Sequence, residues 1–171
     1  MSKYVVGVSL GSSSRNHSVD IDVLGESIRL ERIGTDGDMQ KAMDMIKSLD
    51  GKADAIGLGG IDLYIYAGNR KYTFRDSQRL AKMASITPIV DGGGLKHSLE
   101  RRVIKSLDEE GIFTLAGKRG LLVCAVDSPG MAETFVKLDS DVVFGDLVFA
   151  LGIPGVVRSL KTIDYLARAL M

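Results

Sequence analysis

Short β-rich runs alternate with segments of helical period along most of this chain, and that alternation restricts its fold more than any other feature. "KYVVGVSL" (3–10) has the composition of a first strand. "VDIDVL" (19–24) and "SIRLERI" (27–33), separated by Gly25-Glu26, read as two more strands joined by a tight turn. In "DGDMQKAMDMIKSLDGK", Met39, Ala42, Met43, Ile46 and Leu49 fall on one helix face. Asp36 or Asp38 can cap the start of that helix, and Gly51 follows its end. "ADAIGLGG" (53–60) is a short strand ending in glycines, and "IDLYIYAGNRKYTF" (61–74) has the pattern of a hairpin turning at Ala67-Gly68-Asn69. A helix over 75–84 and a strand "TPIV" (87–90) come next. A second long helix runs through Leu95, Leu99, Val103, Ile104 and Leu107 to about 109. "GLLVCAV" (120–126) is the strongest strand pattern in the chain. It leads into the helix "SPGMAETFVKL", where Pro129 suits a first turn. A short strand "DVVFG" and an amphipathic helix on Val156, Leu160, Ile163, Leu166 and Leu170 close the pattern.

Strands and helices in this order imply an α/β fold of the three-layer, Rossmann-like kind. Its sheet is expected to be mainly parallel with helices on both faces and an antiparallel N-terminal hairpin at one edge. The 171 residues have the length of a single α/β domain. The final helix stops at Met171 without glycine, proline or a polar tail, so residues 1–171 read equally as a whole domain or as the N-terminal part of a longer protein.

Charge and cysteine content narrow the function classes. Twenty-two basic side chains balance 22 acidic ones, so the composition indicates no strongly basic face for nucleic acid and leaves room only for a local patch. The apolar runs fall short of the ~20 residues of a membrane helix, and "MSKYVVGVSLGSSS" enters a strand without the apolar segment of a signal peptide. Cys124, inside "LLVCAV", has no second cysteine to pair with and reads as a small buried apolar residue of a cytoplasmic protein. His17 and His97 have no second His or Cys at ligand spacing, so no metal site is expected. The sequence is compatible with a homo-oligomer.

Ligands of open α/β sheets bind at the carboxyl ends of the strands, near the reversal of strand order. Four strand ends here carry glycine beside an acid. These are Gly59, Gly60 and Asp62; Asp91, Gly92, Gly93, Gly94 and Lys96; Asp127, Ser128, Pro129 and Gly130; and Gly145 with Asp146. The triplet in "VDGGGLKHSLERR" opens a helix, whose free amides suit a phosphate or carboxylate, with Lys96, Arg101 and Arg102 nearby. A tight turn alone also explains those glycines. His97 is a pocket residue or a solvated helix position, and Asp127 binds hydroxyls or caps the following helix. "GSSS" (11–14) is a loop or an anion nest. Neither the dinucleotide fingerprint G-x-G-x-x-G nor the Walker pattern occurs.

Several longer segments carry a resemblance. "VVGVSLGSSSRNHSV", "ERIGTDGDMQKA", "ADAIGLGGIDLYIYAGNRKYTFRD", "VDGGGLKHSLERRV", "VDSPGMAE" and "VVFGDLVFALGIP" resemble a family of bacterial, mostly clostridial, proteins named quinate 5-dehydrogenase, over nearly the whole chain. The resemblance implies an oxidoreductase that converts the ring alcohol of quinate to 3-dehydroquinate with NAD or NADP, and a protein that continues past the last helix. By analogy with the Lys–Asp pair of shikimate and quinate dehydrogenases, Lys96 with Asp91 or Asp127 is the candidate pair. Lys96, His97 and Asp127 are thus the catalytic candidates. Gly59, Gly60, Asp91, Gly92, Gly93, Gly94, Ser128 and Gly130 are the cofactor-binding ones. Two other functions stay open. One is a non-catalytic domain that binds or senses a small anion or nucleotide. The other is a kinase-like ATP-binding domain, which "VVGVSLGSSS" between strands resembles.

Overall fold

The computed structural model describes residues 2–67 and 70–170. In chain order the elements are β1 (Lys3–Ser9), β2 (His17–Val23), β3 (Glu26–Gly34), α1 (Met39–Leu49), β4 (Ala55–Gly59), β5 (Tyr64–Ala67) and β6 (Arg70–Thr73). They continue with α2 (Arg75–Ala81), β7 (Ile89–Val90), α3 (Gly93–Glu109), β8 (Arg119–Leu122), α4 (Pro129–Lys137), β9 (Asp141–Phe144), α5 (Asp146–Leu151) and α6 (Leu160–Leu170). The chain divides into two compact units, Met1–Tyr64 with Thr73–Gly93, and Ile65–Tyr72 with Gly94–Met171.

The first unit is built on a five-stranded sheet in the order β2-β3-β1-β4-β7. β1 pairs in parallel with β3 and β4, β4 in parallel with β7, and β2 lies antiparallel to β3 at the edge. This is the mainly parallel sheet with an antiparallel hairpin that the alternation implies. The hairpin turns one residue earlier than Gly25-Glu26. Val23 pairs with Glu26, which leaves Leu24 and Gly25 as the loop, both at positive φ (54° and 82°). Two successive left-handed residues are what a type I′ turn requires.

Period and register explain the first core. Val6 pairs with Ile56 and Val8 with Leu58, so all four side chains share one face of the sheet. They are buried with Ala42, Met43 and Ile46 of α1. Asp38 caps α1, its carboxylate accepting the Lys41 amide at 2.9 Å. Asp36, the other candidate cap, is instead left-handed (φ 56°) and accepts the Ser13 amide at 2.7 Å. β7 is shorter than 87–90 because the Thr87 amide is taken by Asp50 at 2.7 Å and Pro88 has no N–H.

In the second unit β8 and β9 pair in parallel, joined through α4, and β5 pairs with β6 in a separate ribbon. The hairpin turn expected at Gly68-Asn69 lies outside the described residues. Leu122, Ala132, Val142, Phe144, Val157 and Ile163 form the buried cluster. Three expectations need correction here. The strand expected over 120–126 stops at Leu122, because the amides of Ala125 and Val126 are bound by the Asp146 carboxylate rather than by a strand. The last helix begins at Leu160. Val156 is exposed, and Val157 exchanges hydrogen bonds with Phe144 in an isolated bridge. A short helix absent from the sequence pattern, α5, follows β9 and ends at Gly152 in the left-handed conformation. The apolar stripe Leu95, Leu99 and Val103 of α3 is exposed, while Ile104 and Leu107 are half-buried.

Candidate functional site

The predicted site residues divide between the two units. Gly59, Gly60, Asp91, Gly92 and Gly93 belong to the first, and Gly94, Lys96, His97, Asp127, Ser128 and Gly130 to the second. In the first unit, Gly59 ends β4 so close to β1 that a Cβ would stand 2.9 Å from the Ser9 side chain. Gly60 turns left-handed (φ 73°) against Leu10.

The glycine triplet has a local explanation. Gly92 is left-handed (φ 77°), a conformation that favours glycine. The Gly93 amide donates to Asp91 Oδ1 at 2.9 Å, and Asp91 Oδ2 accepts the Leu63 amide at 2.8 Å. The anion at this turn is therefore the chain's own carboxylate, which ties the start of α3 to the segment after β4. The "GSSS" amides are served in the same way. Gly11 donates to Ser9 Oγ, Ser13 to Asp36 and Ser14 to Ser12 Oγ. The Ser13 amide holds the Asp36 carboxyl below the usual carboxylate range.

In the second unit α3 and α4 bring two of the catalytic candidates together. Lys96, four residues into α3, forms an ion pair from Nζ to Asp127 Oδ1 in the turn before α4. Asp91, the other carboxylate weighed for Lys96, is engaged by the amides of Leu63, Tyr64 and Gly93. The pair is 29% and 43% exposed at its side chains, so a small solute can reach it. His97, one residue on, is packed differently. Its ring meets Tyr66 edge to face, with centroids 4.2 Å apart, and Nε2 is buried without a hydrogen bond among the described residues. Arg101 and Glu133 form a second link between α3 and α4 at 2.8 Å.

Gly130 and Ser128 serve packing. A Cβ on Gly130 would stand 2.5 Å from the Lys96 carbonyl oxygen, so this glycine lets α4 cross α3 at the residue that carries the amine. The Ser128 amide donates to the Cys124 carbonyl at 3.2 Å, and its side chain makes no cap.

The residue that shapes this site, and that strand-end reasoning noted without assigning, is Asp146. It is 7% exposed, and it accepts the Ala125 amide at 2.9 Å and the Val126 amide at 3.1 Å. These bonds bend residues 124–127 into the turn that presents Asp127. Cys124 sits in the same bend. Burial pushes its thiol up to about 11, reinforced by the nearby Asp146 and Asp127 carboxylates, so it stays protonated at neutral pH. Among the described residues no group of His, Cys, Asp or Glu could hold a metal ion. No helix among them is long and apolar enough to cross a membrane.

A family model described as Domain of unknown function (DUF8753) matches residues 4–91, just over half the chain. The chain belongs to that family. A second model, Domain of unknown function (DUF8754), matches residues 94–171, so the two meet at the glycine turn. The span of the first includes residues 65–72, which fold with the second unit. No curated protein matches the chain. Among solved structures it is similar to aspartate transcarbamoylase from Trypanosoma cruzi, crystallised with carbamoyl aspartate and phosphate. That likeness has 10% identity and a TM-score of 0.41, over 82% of this chain and 43% of the other.

Proposed function

We propose that this DUF8753 protein acts on a hydroxylated ring acid of the quinate class, with Lys96 and Asp127 as its proton-handling pair. The observation that carries this is the ion pair between them, placed by α3 and by the turn before α4. Oxidation of a ring alcohol needs a group that takes the hydroxyl proton as hydride leaves carbon. Lys96 Nζ, once it has released its own proton to solvent, is the better candidate of the two weighed for that step, because its side chain is partly exposed while His97 Nε2 is buried against Tyr66. Asp127 orients the amine and keeps the site's charge balanced when Lys96 carries the proton. Together the two give a substrate hydroxyl one donor and one acceptor.

NAD or NADP is the hydride acceptor that the family resemblance implies. The glycines proposed for it do not fit a dinucleotide phosphate cradle: the Gly93 amide is bound to Asp91, and Gly130 lies against the α3 backbone. A cytoplasmic place is proposed on the lone cysteine, Cys124, which has no second cysteine to pair with.

The test is an assay of the purified chain with quinate and shikimate, each with NAD and NADP, beside calorimetric binding of quinate alone. Wild type should bind quinate, and Lys96→Met should lose turnover by at least about a hundredfold, the lower end of a general acid–base contribution. Quinate binding without turnover would leave a binding or sensing protein. Absence of both would sink the proposal.

A further inference from the structure

Two guanidinium groups converge at the carboxyl end of β1. Nη2 of Arg15 and Nη2 of Arg32 lie 2.8 and 3.1 Å from the point where Gly11 would carry a Cβ. Among the described residues Arg32 donates to two neutral oxygens, the Ser12 carbonyl at 3.1 Å and Ser9 Oγ at 3.0 Å. Neither arginine has an acidic partner among the described residues. Two neighbouring cations repel each other unless an anion joins them.

The surrounding backbone fixes this arrangement. Arg32 projects from β3 in register with Gly7 of β1. Arg15 closes a single 3-10 turn, Ser13–Arg15, whose first amide is held by Asp36. The loop is pressed onto the end of β3 at Gly34, where a Cβ would stand 2.4 Å from the Ser12 carbonyl oxygen. The hydroxyls of Ser12 and Ser14 lie 2.8 Å apart on the exposed side of the same turn. The position is also where strand order reverses, since β1 has β3 on one side and β4 on the other. That is the crevice in which open α/β sheets bind ligands.

We infer that Arg15, Arg32 and the Ser12–Ser14 hydroxyls form an oxyanion site for a phosphate group. A planar carboxylate is satisfied by one guanidinium fork. A tetrahedral phosphate, with more acceptor oxygens and more charge, engages two forks and the adjacent hydroxyls. The site lies wholly in the first unit and does not depend on the Lys96–Asp127 pair. Its phosphate is either a free anion or the phosphoryl group of a nucleotide.

The experiment is isothermal titration of the full chain with inorganic phosphate, inorganic pyrophosphate, ADP and quinate, for wild type, Arg15→Gln and Arg32→Lys. Arg15 is exposed and makes no side-chain hydrogen bond among the described residues, so its variant keeps the fold, which thermal melting verifies. Arg32→Lys retains charge while losing the fork. Wild type should bind phosphate or pyrophosphate, and Arg15→Gln should weaken it about tenfold or more. ADP binding at least tenfold tighter than phosphate assigns the site to a nucleotide. Equal or weaker ADP binding assigns it to a free phosphate. Wild type that binds neither phosphate nor pyrophosphate overturns the site, as do variants that bind as tightly as wild type or a chain that takes quinate at this site and not phosphate.

Discussion

Gly130 and Lys96 meet through backbone: a Cβ on the glycine would stand 2.5 Å from the Lys96 carbonyl oxygen and 2.9 Å from that of His97. The helix that carries the amine and the helix that follows its carboxylate are thus in contact at the residues that matter for the pair. Such an approach is available only to glycine, and no rotation of a flexible side chain relieves the clash. Gly130→Ala should therefore cost about 2 kcal/mol, the size of a core overpacking strain. It should also push α4 and Asp127 away from Lys96. Melting temperature, measured together with the quinate binding proposed above, checks this. A variant that melts like wild type would mean the two helices separate freely.

Asp146 exerts a comparable hold on the turn before Asp127. Its carboxylate satisfies two amides in a site 7% exposed, so Asp146→Ala leaves both donors without their acceptor. The expected loss is roughly 2–4 kcal/mol. Asp146→Asn, which keeps one acceptor oxygen, should recover part of it. Chemical denaturation of both variants gives the comparison, and equal stabilities for Ala and Asn would contradict the assigned role.

How much of this was legible in the sequence depends on the range of the interaction. Met39 to Leu49 announced α1 because a helix face repeats within one segment, and β1 through β4 were legible from their composition. Arg15 and Arg32 carried no such signal. They are 17 positions apart in sequence and meet only because the hairpin folds β3 back beside β1. Asp146 likewise acts on amides some 20 residues earlier, and its partners shortened a strand that Leu121 to Val126 otherwise favour. The Lys96–Asp127 pair was foreseen as one of two choices by residue type. The three amides that engage Asp91 leave no trace in any local pattern.

The Cys124 thiol provides a probe of the same turn. Burial raises it to about 11, well above the ~8.5 of a free cysteine, so thiolate is scarce at pH 8 in the folded protein. Alkylation by iodoacetamide at that pH should be slow in native buffer, by about two orders of magnitude on thiolate population alone. Denaturant should restore the ordinary rate. Asp146→Ala, which opens the bend, should accelerate the native reaction. Native labelling at the rate of a free thiol would show that the turn is not closed.

Acid should weaken the first unit through Asp50. The Ser85 amide, with those of Thr87 and Ile86, holds its carboxyl far below the ordinary carboxylate range and ties down the segment before β7. Asp54, bound to the Tyr4 amide, is depressed for the same reason. A carboxyl lowered in the folded state binds its proton later than in the unfolded state, where it titrates near ~3.9. The unfolded chain therefore takes up protons first as pH falls. The stabilisation is fully present above about pH 5 and disappears progressively as pH drops through ~3.9 towards the folded value. Asp50→Asn removes this dependence at its source. It should melt lower than wild type at pH 7, and the gap should narrow between pH 5 and pH 3. Melting curves of both proteins at those three pH values decide the matter, and a gap that stays constant with pH would contradict the role assigned to the carboxylate.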